Sequence, residues 1–303
     1  MARVLTLATR GSKLALAQSE WVGREIERHH PDTRVELVTI RTQGDKVQDV
    51  ALSKVGGKGL FVKEIEEALL DGSADLAVHS LKDLPTAMPD GLCIGAVGGA
   101  VDPRDVLISR DGRGLNDLPE GAVIGTSSLR RQAQLAHTRP DLTFEPIRGN
   151  VDTRLRKLDE GQADAIILAG AGLMRLGLTG RITEWLPIEA CVPAVGQGLL
   201  AIEIRQGDDE TESLLRFLGD ETAAHRALAE RAALACLEGG CQTPIGIHAT
   251  PARYTIAVEG VVAGPSGQPY YRARETSPAS DPTEAGRRLA DRLRAMGAGE
   301  LVG

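Results

Sequence analysis

The 303-residue sequence predicts an α/β protein made of two similar, doubly wound, mainly parallel modules followed by a small α+β domain. Three observations predict it. Short apolar strands alternate with helical segments across residues 3–99. The same order returns across 122–175, where Glu160-Gly161-Gln162-Ala163-Asp164-Ala165-Ile166-Ile167 echoes Asp71-Gly72-Ser73-Ala74-Asp75-Leu76-Ala77-Val78. From about residue 220 the pattern changes to a long helix, strand-like runs and a last helix. Right-handed βα crossovers then make each module a doubly wound sheet.

Element by element, Val4–Ala8 reads as the first strand, and Thr9-Arg10-Gly11-Ser12 leads to a helix from Lys13 to about His29 with Ser12 as its N-cap. Val35–Ile40 is a second strand. After Gly56-Gly57-Lys58-Gly59 comes a helix with Phe61, Ile65, Ala68 and Leu69 on one face, and Ala74–Ser80 is the third strand. In the second module Ala122–Gly125 runs into Thr126-Ser127-Ser128 and a helix opening with Leu129-Arg130-Arg131. Leu142–Ile147 follows, then Arg148-Gly149-Asn150 and the helix Val151–Leu158. Val101-Asp102-Pro103 and Pro193–Gly198, including Gln197, read as a double hinge, with Leu199–Ile204 rejoining the first module. The long helix Glu221–Leu237, Tyr254–Val262, Tyr270–Glu275 and a helix from about Pro282 make the third domain. The expected domains are 1–99 with 199–218, 104–193, and 220–303.

A net charge of −7 argues against bulk attraction to nucleic acid or an anionic membrane, so an anion site must be built locally. Aromatic residues, at 3%, are too few for base-stacking platforms. The first apolar run is too short for an export signal, and no other stretch is long and uncharged enough to span a bilayer. Cys93, Cys191, Cys236 and Cys241 are therefore expected as reduced thiols of a cytoplasmic protein, without zinc spacing. A monomer is expected, because no large apolar stripe is left unassigned.

Ligands of open α/β sheets bind beyond the carboxyl ends of the strands. The residues there are Arg10, Ser12, Lys58, Ser80, Lys82 and Asp83 in the first module. The second offers Thr126, Ser127, Ser128, Arg130, Arg131, Arg148 and Arg154. Guanidiniums and helix N-termini favour carboxylates, so the ligand expected is one with several of them, held between two lobes. Any single cation here could equally be a solvated surface group. Asp83 is the one acid among them, suited to proton handling or to offsetting positive charge, although an ion-pair role fits it as well. His79 lies within an apolar strand and reads as a core histidine. Cys241 follows two glycines, Gly239-Gly240, which let the backbone approach a ligand closely.

Together these segments resemble the porphobilinogen deaminase, or hydroxymethylbilane synthase, family. The resemblance is carried by Ala8–Ser12, Lys54–Phe61, Val78–Pro85, Gly125–Arg131, Arg148-Gly149-Asn150 with Arg154, Pro193–Gly198 and Leu237–Gly246. It implies a dipyrromethane cofactor held by a thioether to Cys241, onto which four porphobilinogen units are added with loss of ammonia before water releases hydroxymethylbilane. Asp83 would be the catalytic carboxylate, assisting ammonia loss and hydrogen-bonding pyrrole N–H groups. Arg10, Lys82, Arg130, Arg131, Arg148 and Arg154 would bind acetate and propionate groups. Ser12, Lys58, Ser80, Thr126, Ser127, Ser128 and Gln197 would make further cofactor or substrate contacts.

Two other readings compete. Paired α/β lobes with a double hinge also suit a periplasmic-binding-protein-like polycarboxylate binder without catalysis, which would leave Asp83 and Cys241 idle and carry no pyrrole chromophore. A thiol hydrolase built on Cys241 would need a histidine partner at a loop tip, and the sequence places none there.

Overall fold

The computed structural model describes residues 3–43, 62–237 and 243–302. The chain forms two compact units, Met1–Ala100 with Leu199–Ala224, and Val101–Gly198 with His225–Gly303.

Unit 1 opens with β1 (Arg3–Arg10), α1 (Lys13–His29) and β2 (Thr33–Ile40), continues with α2 (Lys63–Leu70), β3 (Leu76–Ser80) and β4 (Leu92–Gly98). Its sheet has the order β2-β1-β3-β10-β4, where β10 is Leu200–Arg205. β1 runs parallel to β2 and β3, whereas β10 lies antiparallel to both of its neighbours. The first five residues of β10 are buried, as expected of a strand covered on both faces. Leu200, Ile202 and Ile204 pack with Leu5, Leu7, Val22 and Ile26 on the α1 side. Ala8 and Ala77 pack with Ile65 and Leu69 on the α2 side. A helix α6 (Asp209–Leu215), N-capped by Asp208, follows β10.

Unit 2 repeats the sheet plan. Its strands are β5 (Asp105–Ser109), β6 (Val123–Gly125), β7 (Thr143–Glu145), β8 (Ala165–Ala169) and β9 (Glu184–Trp185), in the order β7-β6-β8-β5-β9. β6 runs parallel to β7 and β8, and β5 is the antiparallel insert. Helices α3 (Leu129–Thr138), α4 (Val151–Asp159) and α5 (Gly170–Arg175) follow β6, β7 and β8. The rest of the unit is a meander of β11 (Ile245–Pro251), β12 (Thr255–Ala263) and β13 (Tyr270–Pro278), with α7 (Glu221–Cys236) and α8 (Pro282–Ala295). One core joins Ala229 and Ala233 of α7 to Leu289 and Leu293 of α8 and to Ile247, Ile256 and Val258 of the meander.

Two mixed α/β sheets of one design and a C-terminal antiparallel sheet match the predicted class, and β10 rejoins the first sheet as expected. The sequence reading omitted β4, β5, β9 and β11. Short strands such as Glu184–Trp185 are too brief to show alternation, and an unbroken apolar and glycine run such as Leu92–Gly98 carries no period of its own.

Candidate active site

In unit 1 the site is built at the carboxyl ends of β1 and β3. Ser12 caps α1, its Oγ accepting from Ala15 N–H at 3.2 Å, so the helix begins directly after Arg10 and Gly11. β3 ends at Ser80 and the chain turns through a single 3-10 turn, Leu81–Asp83. Leu81 and Leu84 are buried on either side of that turn, and Leu81 N–H donates to Leu199 C=O at 3.0 Å. Between these two fixed points Lys82 and Asp83 are exposed. A pocket brings Asp83 together with Arg10, Ser12, Ser80, His79 and Gln18. Gln18 is buried on α1, and its Nε2 donates to Ser80 Oγ at 3.0 Å. The arrangement offers a carboxylate for N–H groups next to cationic and hydroxyl donors for carboxylates.

In unit 2 the turn after β6 is tied by its own hydroxyls. Thr126 is buried, and its Oγ1 accepts from Ser128 N–H at 3.2 Å. Ser127 is exposed and its Oγ donates to Ile147 C=O at 2.9 Å, while Ser128 caps α3. Arg148 and Arg154 are half-buried, and Arg154 Nε donates to Gly149 C=O at 2.7 Å. Gly149 has φ +110°, and a Cβ there would meet Thr153 at 2.5 Å, which reserves the position for glycine.

Arg130 and Arg131, expected as partners of ligand carboxylates, are drawn inward at the start of α3. Both are 6% exposed and close on Asp105, which is 0% exposed. Arg130 Nη1 reaches Asp105 Oδ2 at 2.7 Å and Val192 C=O at 2.7 Å. Arg131 Nη2 reaches Asp105 Oδ1 at 2.7 Å, and its Nη1 reaches Ile167 C=O at 3.1 Å. Burial alone would raise the Asp105 carboxyl, but the two guanidiniums outweigh it and hold the group well below the usual carboxylate range. Cys191 lies against the same carboxylate, and burial pushes its thiol up to about 12. Gln197 is also turned inward, its Nε2 donating to Pro103 C=O at 2.7 Å and to Asp105 Oδ1 at 2.9 Å. The cluster carries two positive charges against one negative, so it still presents a net positive field behind the first turn of α3.

Residues 5–213 match the family model described as "Porphobilinogen deaminase, dipyromethane cofactor binding domain", and residues 224–295 match "Porphobilinogen deaminase, C-terminal domain". Curated relatives named porphobilinogen deaminase are similar over nearly the whole chain. That of Desulforudis audaxviator is 52% identical over 302 residues, covering 100% of this chain and 98% of its own. That of Syntrophotalea carbinolica is 51% identical over 298 residues, covering 98% and 95%. The chain belongs to the porphobilinogen deaminase family.

The family's dipyrromethane presents carboxylates and pyrrole N–H groups, and the described residues fit that chemistry. Arg10 and Ser12 stand at the pocket with Asp83, an acceptor for N–H. Arg148 and Arg154 bring guanidinium groups to the same chemistry in unit 2. The expected attachment residue Cys241 and the expected contact Lys58 lie outside the described residues. Sequence reasoning missed Gln18 and Asp105. Gln18 was legible only as an interior position of α1, and Asp105 reads as one more acid in Asp102-Pro103-Arg104-Asp105 until the fold places Arg130 and Arg131 upon it.

Proposed function

We propose that Asp83 is the catalytic carboxylate of this deaminase and that Cys241 carries its dipyrromethane through a thioether. The reaction condenses four porphobilinogen molecules head to tail, loses one ammonia at each addition and releases hydroxymethylbilane with water. When bound, the dipyrromethane supplies the pyrrole carbon to which the first substrate is joined. Asp83 accepts hydrogen bonds from pyrrole N–H groups and offsets the positive charge that develops on porphobilinogen as ammonia departs. Arg10, Lys82, Arg148 and Arg154 hold acetate and propionate groups, and Ser12, Lys58, Ser80, Thr126, Ser127 and Ser128 make further cofactor or substrate contacts. Arg130, Arg131 and Gln197 act through the Asp105 cluster rather than by open side chains.

The observation that carries this reading is the setting of Asp83. It is an exposed carboxylate on a turn fixed by buried Leu81 and Leu84, at a pocket it shares with Arg10 and Ser12. Three domains, 1–99 with 199–218, 104–193 and 220–303, belong to the same reading, as does a monomer in the cytoplasm. Free Cys93, Cys191 and Cys236 support a reducing compartment, and none of the described helices is long and apolar enough to cross a membrane.

Intact mass and turnover test the assignment together. Active protein carries a mass excess of two linked pyrrole units on the peptide that contains Cys241, and Cys241→Ser lacks both the excess and the activity. Asp83→Asn keeps the adduct but loses about 10²-fold or more in turnover. An unmodified, active Cys241→Ser protein would overturn the attachment site, and near-normal turnover of Asp83→Asn would remove Asp83 from the mechanism.

A further inference from the structure

Along α1, Gln18, Val22 and Ile26 form one buried stripe at four-residue spacing, and Val22 and Ile26 pack into the core of the unit 1 sheet. An apolar residue at position 18 would complete that stripe, whereas a buried amide costs free energy unless its groups are paired. Gln18 is 4% exposed, and among the described residues its amide meets one partner, the Ser80 hydroxyl at the end of β3. Its Nε2 donates to Ser80 Oγ at 3.0 Å, and Ser80 Oγ reaches Gln18 Oε1 at 3.5 Å. Ser80 is half-buried and lines the pocket that also holds Arg10, Ser12 and Asp83.

The second module shows what a glutamine does at the same place when it serves packing. Gln134 lies six residues after the cap Ser128, as Gln18 lies six after the cap Ser12. Gln134 is committed to backbone: its Oε1 accepts from Val192 N–H at 2.7 Å, and its Nε2 donates to Val192 C=O at 3.0 Å. Gln18 instead commits its amide to a side chain that lines a pocket. A serine hydroxyl has one proton and two lone pairs. The 3.0 Å bond occupies a lone pair of Ser80, and the 3.5 Å contact is too long to hold the proton firmly. A carboxylate entering the pocket therefore meets Ser80 as a donor. Ser12 is prepared alike, because its Oγ accepts from Ala15 N–H at 3.2 Å, which leaves its proton for a ligand. With Arg10, two such hydroxyls suit an anion even though Asp83 places a negative charge in the same pocket.

We infer that Gln18 is a positioning residue: it holds the Ser80 oxygen so that the hydroxyl donates to a carboxylate of the bound pyrroles. The inference rests on the deaminase reading, which supplies those carboxylates, from porphobilinogen or from the dipyrromethane. Without the amide the hydroxyl rotates freely, and it can turn a lone pair toward the carboxylate as readily as its proton. An ionised acid at position 18 does worse, because it accepts the Ser80 proton itself and sets a second negative charge beside the ligand.

The test uses the full-length holoenzyme, with porphobilinogen as substrate and intact-mass spectra of each variant. Gln18→Met keeps the bulk of the side chain and should raise KM for porphobilinogen by about 5- to 10-fold, the loss falling on KM rather than kcat. Ser80→Ala should raise KM by a similar factor. The double variant should be no worse than Ser80→Ala alone, since Gln18 acts through that hydroxyl. A raised KM with the pyrrole adduct complete places the carboxylate on porphobilinogen, and an incomplete adduct places it on the dipyrromethane. Gln18→Glu carries the test should Gln18→Met fail to fold. Its KM relative to wild type should rise with pH as the introduced carboxyl ionises, because a neutral acid still donates to Ser80 and a carboxylate does not. Arg10, His79 and Asp83 line the pocket in both proteins, so the ratio isolates position 18. The inference is overturned by a wild-type KM and complete adduct in Gln18→Met, by effects of Gln18→Met and Ser80→Ala that multiply in the double variant, or by a ratio for Gln18→Glu that stays flat with pH. None of these results alters the mass excess expected on the Cys241 peptide of the wild type, so the deaminase reading stands or falls separately.

Discussion

Arg131 and Arg148 bear the same side chain in settings that ask different things of it. Arg131 is buried against Asp105 and Ile167, whereas Arg148 is half-buried after β7. Removing one member of a buried charge cluster leaves the rest uncompensated, at a cost on the order of 3 kcal/mol. Arg131→Leu should therefore lower stability by about that much in denaturant melts. Arg148→Leu should cost about 1 kcal/mol or less in stability and instead weaken carboxylate binding by about 1.5–3 kcal/mol, seen as stalled chain growth in intact-mass spectra. Equal stability losses would mean that both residues are structural. The motif around each arginine was legible in the sequence, because guanidiniums beside helix starts mark anion chemistry. Which of them face inward was not, since that depends on Asp105, 25 residues before Arg130 and at the start of strand β5.

Among the elements, α8 and α7 illustrate what pattern alone conveys. The apolar stripe Ala285, Leu289 and Leu293 revealed α8 and its buried face, and Asp281 caps it ahead of Pro282. The closeness of the two helices rests on Gly286, where a Cβ would lie 2.2 Å from Ala229 C=O and 2.9 Å from Ala233 N. Helix propensity favours alanine over glycine by about 1 kcal/mol. Overpacking against rigid backbone costs about 1–3 kcal/mol and should win. Gly286→Ala is thus expected to destabilise the protein in equilibrium unfolding, and a stabilised variant would show that the helices part freely. Nothing local in the sequence distinguishes this glycine from a weak point in a helix, because its reason lies in the neighbouring helix.

Across the whole molecule, the two units should answer acid differently. Burial opposes ionisation of Asp105 and Glu230, but Arg130 and Arg131 in one case, and Arg226 and His248 in the other, hold both groups below their ordinary values. Such carboxylates stabilise the fold above the ordinary carboxylate range, and that stability is lost as pH falls below it. Both lie in unit 2. In unit 1 the half-buried Glu66 shifts the other way, as burial and Glu203 push its carboxyl upward. A raised carboxyl takes up its proton more readily in the folded state, so acid favours the fold there and rising pH works against it. Asp71 and Asp208 of unit 1 are held low, but Asp71 is exposed and Asp208 only half-buried. The chain has two tryptophans, Trp21 in unit 1 and Trp185 in unit 2. In Trp21→Phe and Trp185→Phe variants, emission from Trp185 should shift at a pH higher by about half a unit or more than that from Trp21. Coincident transitions would show a single cooperative response. The repeated module plan behind this division was legible in the echo of 71–78 by 160–167, whereas the opposed charge environments were not, because each arises from residues far apart in the chain.

The insertion of β10 between β3 and β4 bears on how the protein emerges from the ribosome. The first sheet is open between β3 and β4 until Leu200–Arg205 has been made, because β10 is the strand that pairs with both. All five strands of the second sheet lie between Asp105 and Trp185. Translation therefore supplies the later module complete while the earlier one still lacks the strand that joins β3 to β4. The nascent N-terminal segment must keep the flanks of β3 and β4 from other edges during that interval, a window in which chaperone capture or slow decoding before residue 200 would change the yield of native protein.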